Sequence, residues 1–184
     1  PIARTSTIVD VAEKSGRSGP LVFVKVRHEL RCNGAAEPAL LEHHDIVYRE
    51  AQRADDVPVP PQAAPTDATW RRTVVPDDVL LFRYSALTFN GHRIHYDRKY
   101  VTEVEGYPGL IVHGPLIATL LLDLLHRQRP EARVLSFRFK AVRPTFDLHA
   151  FQVCGAPQAD GRVHLWAQDH EGWLTMDATV TVAG

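Results

Sequence analysis

The sequence contains little cysteine and carries almost no net charge. It has 2 cysteines in 184 residues, Cys32 and Cys154, which are too far apart along the chain to form a metal-type or redox-type pair. We therefore expect two buried free thiols and a reducing, cytoplasmic environment. The 21 Lys and Arg residues are balanced by 22 Asp and Glu residues, and the two signs are interspersed. The sequence thus has no concentration of basic residues of the kind that binds nucleic acid or an anionic membrane.

Long hydrophobic runs are also missing. The most apolar stretch, residues 116–125, has about half the length that a membrane-spanning helix needs. The N-terminus shows no basic region followed by an apolar run, so no signal peptide is predicted. The overall hydrophobic content of 45% is nevertheless typical of a globular protein with a packed core.

Proline and alanine are concentrated in residues 51–69, which predicts an extended or mobile linker. Before it, residues 6–11, 21–30 and 44–49 are predicted to be strands. Such a meander buries little surface by itself and has no helix to pack against. We interpret residues 1–50 as the C-terminal strands of an N-terminal domain whose helix-bearing front would precede this sequence. Extra strands added to a single domain are the alternative.

The region after the linker, residues 70–184, predicts one complete α+β domain. Apolar side chains recur at helical spacing over residues 116–125, and Pro130 ends this helix, which is apolar nearly all round and should be buried. Alternation of apolar and polar residues then predicts four antiparallel strands, each with one buried face. These strands cover residues 135–141, 148–155, 162–169 and 174–182. The pattern favours an antiparallel sheet wrapped around a central helix.

A polar segment rich in histidine, residues 82–97, is the first candidate site. Asp77 or Asp78 is a suitable N-cap for a short helix, and Asn90 with Gly91 ends it. His95 then lies in a loop, where its imidazole could act as a general base near neutral pH. Two alternatives remain: His92 and His95 as metal ligands, or incidental histidines in a solvated loop.

The second candidate is the segment 109–115, which leads into the buried helix. Pro115 suits the first helical turn, and Gly114 allows another group to approach the backbone closely. Free N–H groups at a helix start can stabilise developing negative charge. Gly114 and Pro115 could equally serve only to begin the helix.

These two segments resemble the MaoC-like hydratases, whose signature reads Asp-x-Asn-Pro-x-His and later has His-Gly before the central helix. Residues 88–97, Thr-Phe-Asn-Gly-His-Arg-Ile-His-Tyr-Asp, are closer to the type 2 hydroxyacyl-thioester dehydratases and the mesaconyl-C4-CoA hydratases within that group. Residues 105–115 are similar to theirs as well. The resemblance implies a hotdog fold that is complete in residues 70–184, plus the C-terminal strands of a second hotdog in residues 1–50.

The resemblance also implies reversible hydration of a 2-enoyl thioester, with no metal, nucleotide or flavin. His95 matches the catalytic histidine, but Asn90 stands where the signature has its aspartate. We therefore expect His95 to activate water, Asn90 to orient that water and the Gly114 N–H to hold the thioester carbonyl. His113 is expected to play a supporting role beside the carbonyl. Asp97 is a possible replacement acid, although capping the turn that follows it is the preferred role.

Three arginines are candidates for binding a substrate carboxylate or phosphates: Arg93, Arg138 and Arg143. The expected carrier is coenzyme A or an acyl carrier protein, and the expected assembly is a homodimer. Two other classes of hotdog protein stay open. A thioesterase would need an acid on or near the central helix, where Asp123 is the only one and lies at the wrong end. A non-catalytic thioester-binding subunit is compatible with Asn90 but would not need His95.

Overall fold

The computed structural model describes residues 1–16, 19–49 and 60–183, and these fall into two compact units, one on each side of residues 50–59. Part of the predicted linker therefore lies outside the described residues. In the parts that are described, no helix is both long and apolar enough to cross a membrane.

The N-terminal unit is a three-stranded antiparallel sheet. Its strands β1 (Ile2–Gly16), β2 (Gly19–Cys32) and β3 (Leu40–Arg49) pair in the order β1-β2-β3. The three segments predicted from the sequence lie inside these longer strands. Cys32, which we expected to be buried, is exposed because it ends β2 opposite the exposed Ile2 at the tip of the sheet.

The C-terminal unit contains a five-stranded antiparallel sheet of order β4-β6-β7-β8-β5. Its strands are β4 (Trp70–Val74), β5 (Val134–Ala141), β6 (Phe151–Pro157), β7 (Arg162–Gln168) and β8 (Leu174–Val182). All four predicted strands are present, although the strand predicted at 148–155 begins three residues later, at Phe151. Strand β4 was not predicted. Strand β5 pairs with β8 at the edge and not with its neighbour in sequence, β6.

Three helices accompany this sheet: α1 (Asp78–Thr88), α2 (Arg98–Glu103) and α3 (Gly114–Gln128). The central helix α3 contains the predicted apolar stripe, residues 116–125; it begins at Gly114 and ends before Pro130, as predicted. It buries six side chains against the inner face of the sheet: Leu116, Ile117, Ala118, Leu121, Leu124 and Leu125. An antiparallel sheet around a buried helix is the hotdog arrangement, so the predicted α+β hotdog fold is confirmed.

Part of the sheet is buried on its outer face too, which the sequence pattern did not predict. Cys154, Ala156, Trp166 and Leu174 form a second apolar cluster there. Residues 60–69 cover it: Ala64 and Ala68 pack on the cluster, and the Ala64 and Thr69 N–H groups donate to backbone carbonyls of the unit. This second half of the predicted mobile linker is therefore attached, because two of its alanines pack on the apolar cluster and its backbone is hydrogen-bonded to the unit.

A short connection between α1 and α3 carries the histidine segment. Asp77 caps α1 by accepting a hydrogen bond from the Leu80 N–H at 2.7 Å. Phe89, in the left-handed conformation, ends the helix. A 3-10 turn at Arg93–His95 and then α2 follow. The site residues are thus held between two capped helices.

Candidate active site

His95 occupies a partly enclosed position at the end of the 3-10 turn. Only 8% of its surface is exposed. Its Nδ1 donates a hydrogen bond to the Ile111 carbonyl at 2.7 Å, because a carbonyl can only accept. In neutral His95 the hydrogen is therefore on Nδ1, and Nε2 carries the lone pair of a general base.

Burial lowers the pKa of His95 below its ordinary value of 6.5, since a desolvated imidazolium is disfavoured. The hydrogen bond to Ile111 opposes this shift, and the neighbouring His92 adds to it. His95 is accordingly a neutral imidazole at neutral pH, which is the form that can accept a proton.

His113 lies directly against His95. The two rings are stacked, with centroids 3.8 Å apart and planes 18° apart. His113 is fully buried, and its Nε2 is 2.8 Å from the Ser85 hydroxyl of α1. Burial first, and then His95, lower the pKa of His113 to about 4. Sequence reasoning missed Ser85, because its partner is 28 residues away in the chain.

The start of α3 follows His113 immediately. Gly114 is the first helical residue, and no acceptor among the described residues takes its N–H. Gly114 lines a cavity of about 320 Å³ together with Ile117, Thr145, Thr175 and other residues. A Cβ built on Gly114 would meet a single neighbour within 4 Å, Met176 Cε at 3.9 Å, so the space above this backbone is open.

Asn90 begins the loop that leads to His95. Its Oδ1 accepts a hydrogen bond from the His92 N–H at 3.0 Å, and its own N–H donates to the Ser85 carbonyl at 2.9 Å. The side chain closes a local turn through its oxygen, which leaves the amide NH₂ as its remaining donor.

The three predicted arginines lie in different places. Arg93 is exposed, pairs with Asp97 at 2.8 Å and stacks on the Tyr100 ring. Arg138 pairs in register with Thr179, on the sheet face opposite to that of Phe137, which packs towards α3. The structure does not bring Arg138 to the cavity. Arg143 is half-buried and lines the same cavity as Gly114.

The acidic residues are engaged elsewhere. Asp97 caps α2 through the Tyr100 N–H at 3.0 Å, and this bond together with Arg93 lowers its pKa. Asp123 accepts from Arg127 Nε at 2.7 Å and contacts Arg72; Arg127 contributes most to the lowering of its pKa. Within the described ranges, no group of three or more His, Cys, Asp or Glu side chains is arranged to hold a metal ion.

Comparison with known families gives a match over residues 1–147 to hydroxyacyl-thioester dehydratase type 2. The mesaconyl-C(4)-CoA hydratase of Chloroflexus aurantiacus is 46% identical to this chain over 191 aligned residues. That alignment covers 100% of the chain and 64% of the relative, so the chain spans less than two thirds of the relative's length.

Solved structures with low sequence identity share the fold. The chain matches the peroxisomal multifunctional enzyme type 2 of Drosophila melanogaster with a TM-score of 0.71 and 16% identity, over 99% of this chain and 34% of that one. It matches a MaoC-like dehydratase of Phytophthora capsici with a TM-score of 0.68 and 16% identity, over 99% of this chain and 64% of that one.

Proposed function

Because the chain belongs to the hydroxyacyl-thioester dehydratase type 2 family, we propose that it catalyses reversible addition of water to a 2-enoyl thioester. The observation that carries this proposal is the state of His95. It is neutral, its Nδ1 hydrogen is fixed on the Ile111 carbonyl, and its ring stacks on the residue that precedes the start of α3.

In the forward direction His95 Nε2 accepts a proton from water while the water oxygen bonds to C3 of the enoyl group. The C2–C3 π electrons move towards the thioester carbonyl, whose oxygen becomes enolate-like. Protonated His95 then delivers a proton to C2. One water is added, and His95 returns to its neutral form. Dehydration is the same sequence reversed.

Two hydrogen-bond donors assist His95: a backbone N–H and a side-chain amide. The Gly114 N–H, at the positive end of α3, donates to the thioester oxygen as negative charge develops there. The Asn90 amide NH₂ orients the attacking water, because its oxygen is already occupied by the His92 N–H. An amide cannot accept a proton, so His95 is the base in both directions. His113 supports the His95 ring from one side.

The substrate that we propose is an acyl-CoA thioester, with a dicarboxylic acyl group of the mesaconyl type as one candidate. The 46% identical hydratase carries that substrate in its name. Arg143 is the arginine that supports it, since it lines the cavity beside Gly114.

We further propose a homodimer and, from the two unpaired thiols of Cys32 and Cys154, a reducing cytoplasmic setting. Residues 1–50 are proposed to be the C-terminal strands of a second hotdog.

A spectroscopic assay of the 184-residue chain tests the activity. Crotonyl-CoA and mesaconyl-CoA should lose their enoyl-thioester absorbance. His95→Ala should lower kcat by roughly 10²- to 10⁴-fold, the range for general acid–base groups. His126→Ala, at the exposed end of α3, is the matched control and should keep full activity. A folded His95→Ala protein with near-normal turnover would overturn the mechanism.

A further inference from the structure

The cavity beside Gly114 contains an unusual concentration of polar atoms without partners. Among the described residues, five buried side-chain nitrogen or oxygen atoms make no hydrogen bond to another protein group. Three of them belong to residues that line this cavity: Arg143 Nη1, Thr145 Oγ1 and Thr175 Oγ1. Arg143 and Thr145 also line a neighbouring cavity, which contains Asp169. Buried polar groups are normally satisfied, so such a cluster indicates a site for a ligand group.

The two hydroxyls are held in place by the surrounding backbone. The Thr145 carbonyl accepts from the Val112 N–H at 2.8 Å, which ties this residue to the segment before α3. Thr175 is an extra residue in β8: Ala167 pairs with Met176 and Gln168 with Leu174, so Thr175 has no partner in β7. Its carbonyl accepts from the Val142 N–H at 2.9 Å. Such a bulge can re-aim a side chain, and Thr175 is one of the residues that line the cavity.

Exposure is 3% for Thr145 and 1% for Thr175, so both residues lie away from the outer surface of the protein. A buried hydroxyl left unpaired destabilises the folded protein, because it loses its hydrogen bonds to water and gains none in return. Valine has nearly the same shape and would avoid this cost. Two threonines at these positions are explained if acceptor atoms of a ligand take the hydrogen bonds of their hydroxyls.

The third group is a cation. Arg143 Nη1 lies 3.4 Å from the Asp169 carboxylate, in ion-pair contact but without hydrogen-bond geometry. Asp169 in turn accepts from the N–H groups of Glu171 and Trp173, so its negative charge is shared among several donors. Two hydroxyl donors beside a guanidinium match the two oxygens of a carboxylate.

We propose that Arg143, Thr145 and Thr175 form a subsite for the free carboxylate of a short dicarboxylic acyl thioester. The inference rests on the proposed function, in which Gly114 holds the thioester carbonyl at the same cavity. With one end of the acyl chain at Gly114, the carboxylate at the other end reaches the two threonines and Arg143. A monocarboxylic enoyl thioester leaves these groups unpaired.

A binding measurement tests the subsite without requiring turnover. Succinyl-CoA and butyryl-CoA have acyl groups of equal carbon number and no double bond to hydrate, and they differ in the free carboxylate. The unmodified chain should bind succinyl-CoA more tightly by roughly tenfold to hundredfold, as expected for hydrogen bonds to a charged group. Thr145→Val combined with Thr175→Val should remove this preference. Thr179→Val, at the paired position on the opposite face of β8, should retain it.

Turnover gives the second arm of the test. The ratio of kcat/KM for mesaconyl-CoA to that for crotonyl-CoA should fall roughly tenfold to hundredfold in the double variant. An unchanged ratio, or equal binding of succinyl-CoA and butyryl-CoA by the unmodified chain, overturns the subsite. An equal loss for both substrates assigns these residues to the CoA phosphates instead. If neither enoyl thioester is hydrated, the proposed function fails, and the binding arm still decides the subsite.

Discussion

The imidazole rings of His95 and His113 lie face to face, 3.8 Å between centroids. Two imidazolium ions at this separation would repel each other strongly, so the pair holds at most one positive charge near neutral pH. His113 has its Nε2 on the Ser85 hydroxyl and the lower pKa, about 4. The proton that moves during catalysis therefore resides on His95, and His113 stays neutral beside it.

The rate should depend on pH through His95. Because burial lowers its pKa, kcat/KM for crotonyl-CoA should fall on the acid side with a midpoint below 6.5. Replacing His92 with Asn removes a neighbour that contributes to this lowering, so the midpoint should move to higher pH. A pH–rate profile of both proteins measures the shift, and an acid limb centred above 6.5 in the unmodified protein would contradict the assignment.

Stability should also depend on pH, through His113. Its pKa is depressed in the folded state, so the unfolded chain binds the proton more tightly between pH 6.5 and about 4. The stabilising contribution is complete above pH 6.5 and is lost as pH falls towards 4, by about 2–3 kcal/mol. Urea unfolding at several pH values measures the free energy of unfolding as a function of pH. Between pH 6.5 and about 4 this free energy should fall less steeply in His113→Asn than in the unmodified chain. His126→Asn, an exposed substitution, should keep the original slope.

Gly114→Ala separates a structural role from a catalytic one. The added methyl would lie in ordinary contact with Met176 Cε, so the free energy of unfolding should stay the same or rise by up to about 1 kcal/mol. Activity should nevertheless fall roughly tenfold or more, because the methyl enters the space assigned to the thioester. Full activity would mean that Gly114 only begins the helix. Gly109→Ala is the contrasting case: its Cβ would be 2.6 Å from Asp147 Oδ1, so it should destabilise the fold.

Asn90 provides the fourth test. Asn90→Ala removes the acceptor for the His92 N–H and the amide that orients water. Both the stability of the loop and the activity should therefore decrease. Asn90→Asp keeps the acceptor for the His92 N–H and replaces the water-orienting NH₂ with a carboxylate that can hold the water by accepting its proton, so activity should equal or exceed that of the unmodified chain. Steady-state kinetics with crotonyl-CoA compare the two variants. Equal losses for Ala and Asp would show that a proton-accepting group at position 90 cannot replace the amide NH₂.

The hotdog core should depend on single leucines of α3. Leu121 is fully buried, and Leu121→Ala should lower the free energy of unfolding by about 2–5 kcal/mol. Leu87 is 81% exposed at the end of α1, so Leu87→Ala should change it by less than about 0.5 kcal/mol. Chemical denaturation of the two variants measures the difference.

Local patterns in the sequence predicted the helices and strands whose periodicity and capping residues are regular. The leucine spacing predicted α3, the alternation predicted β7 and β8, and Asp77 and Asp97 cap helices as expected. Strand β4 escaped prediction because it is only five residues long and includes two arginines. The pairing of β5 with β8 could not be predicted, since it depends on how the sheet closes around α3.

The site was predictable only in part. The motif residues His95, Asn90 and Gly114 stand out in the sequence, yet the contacts that set their chemistry join distant segments. Ser85 meets His113, and Thr145 and Thr175 share one cavity although 30 residues separate them in the numbering. Neither threonine stands out in the sequence: Thr175 lies within an alternating strand, and Thr145 lies in a loop between two strands. Their significance comes from the hydrogen bonds that they lack, which only coordinates can reveal.

The bulge at Thr175 gives the strand an unusual tolerance to change in length. Leu174 packs on the outer face and Met176 on the inner face, although they are two positions apart in sequence. Deleting Thr175 would leave these two as direct neighbours on opposite faces, as a regular strand requires. Everywhere else in β8, losing one residue would turn the remaining side chains away from α3. Single-residue insertion or deletion at this point is therefore a route by which evolution can alter ligand recognition and leave the core intact.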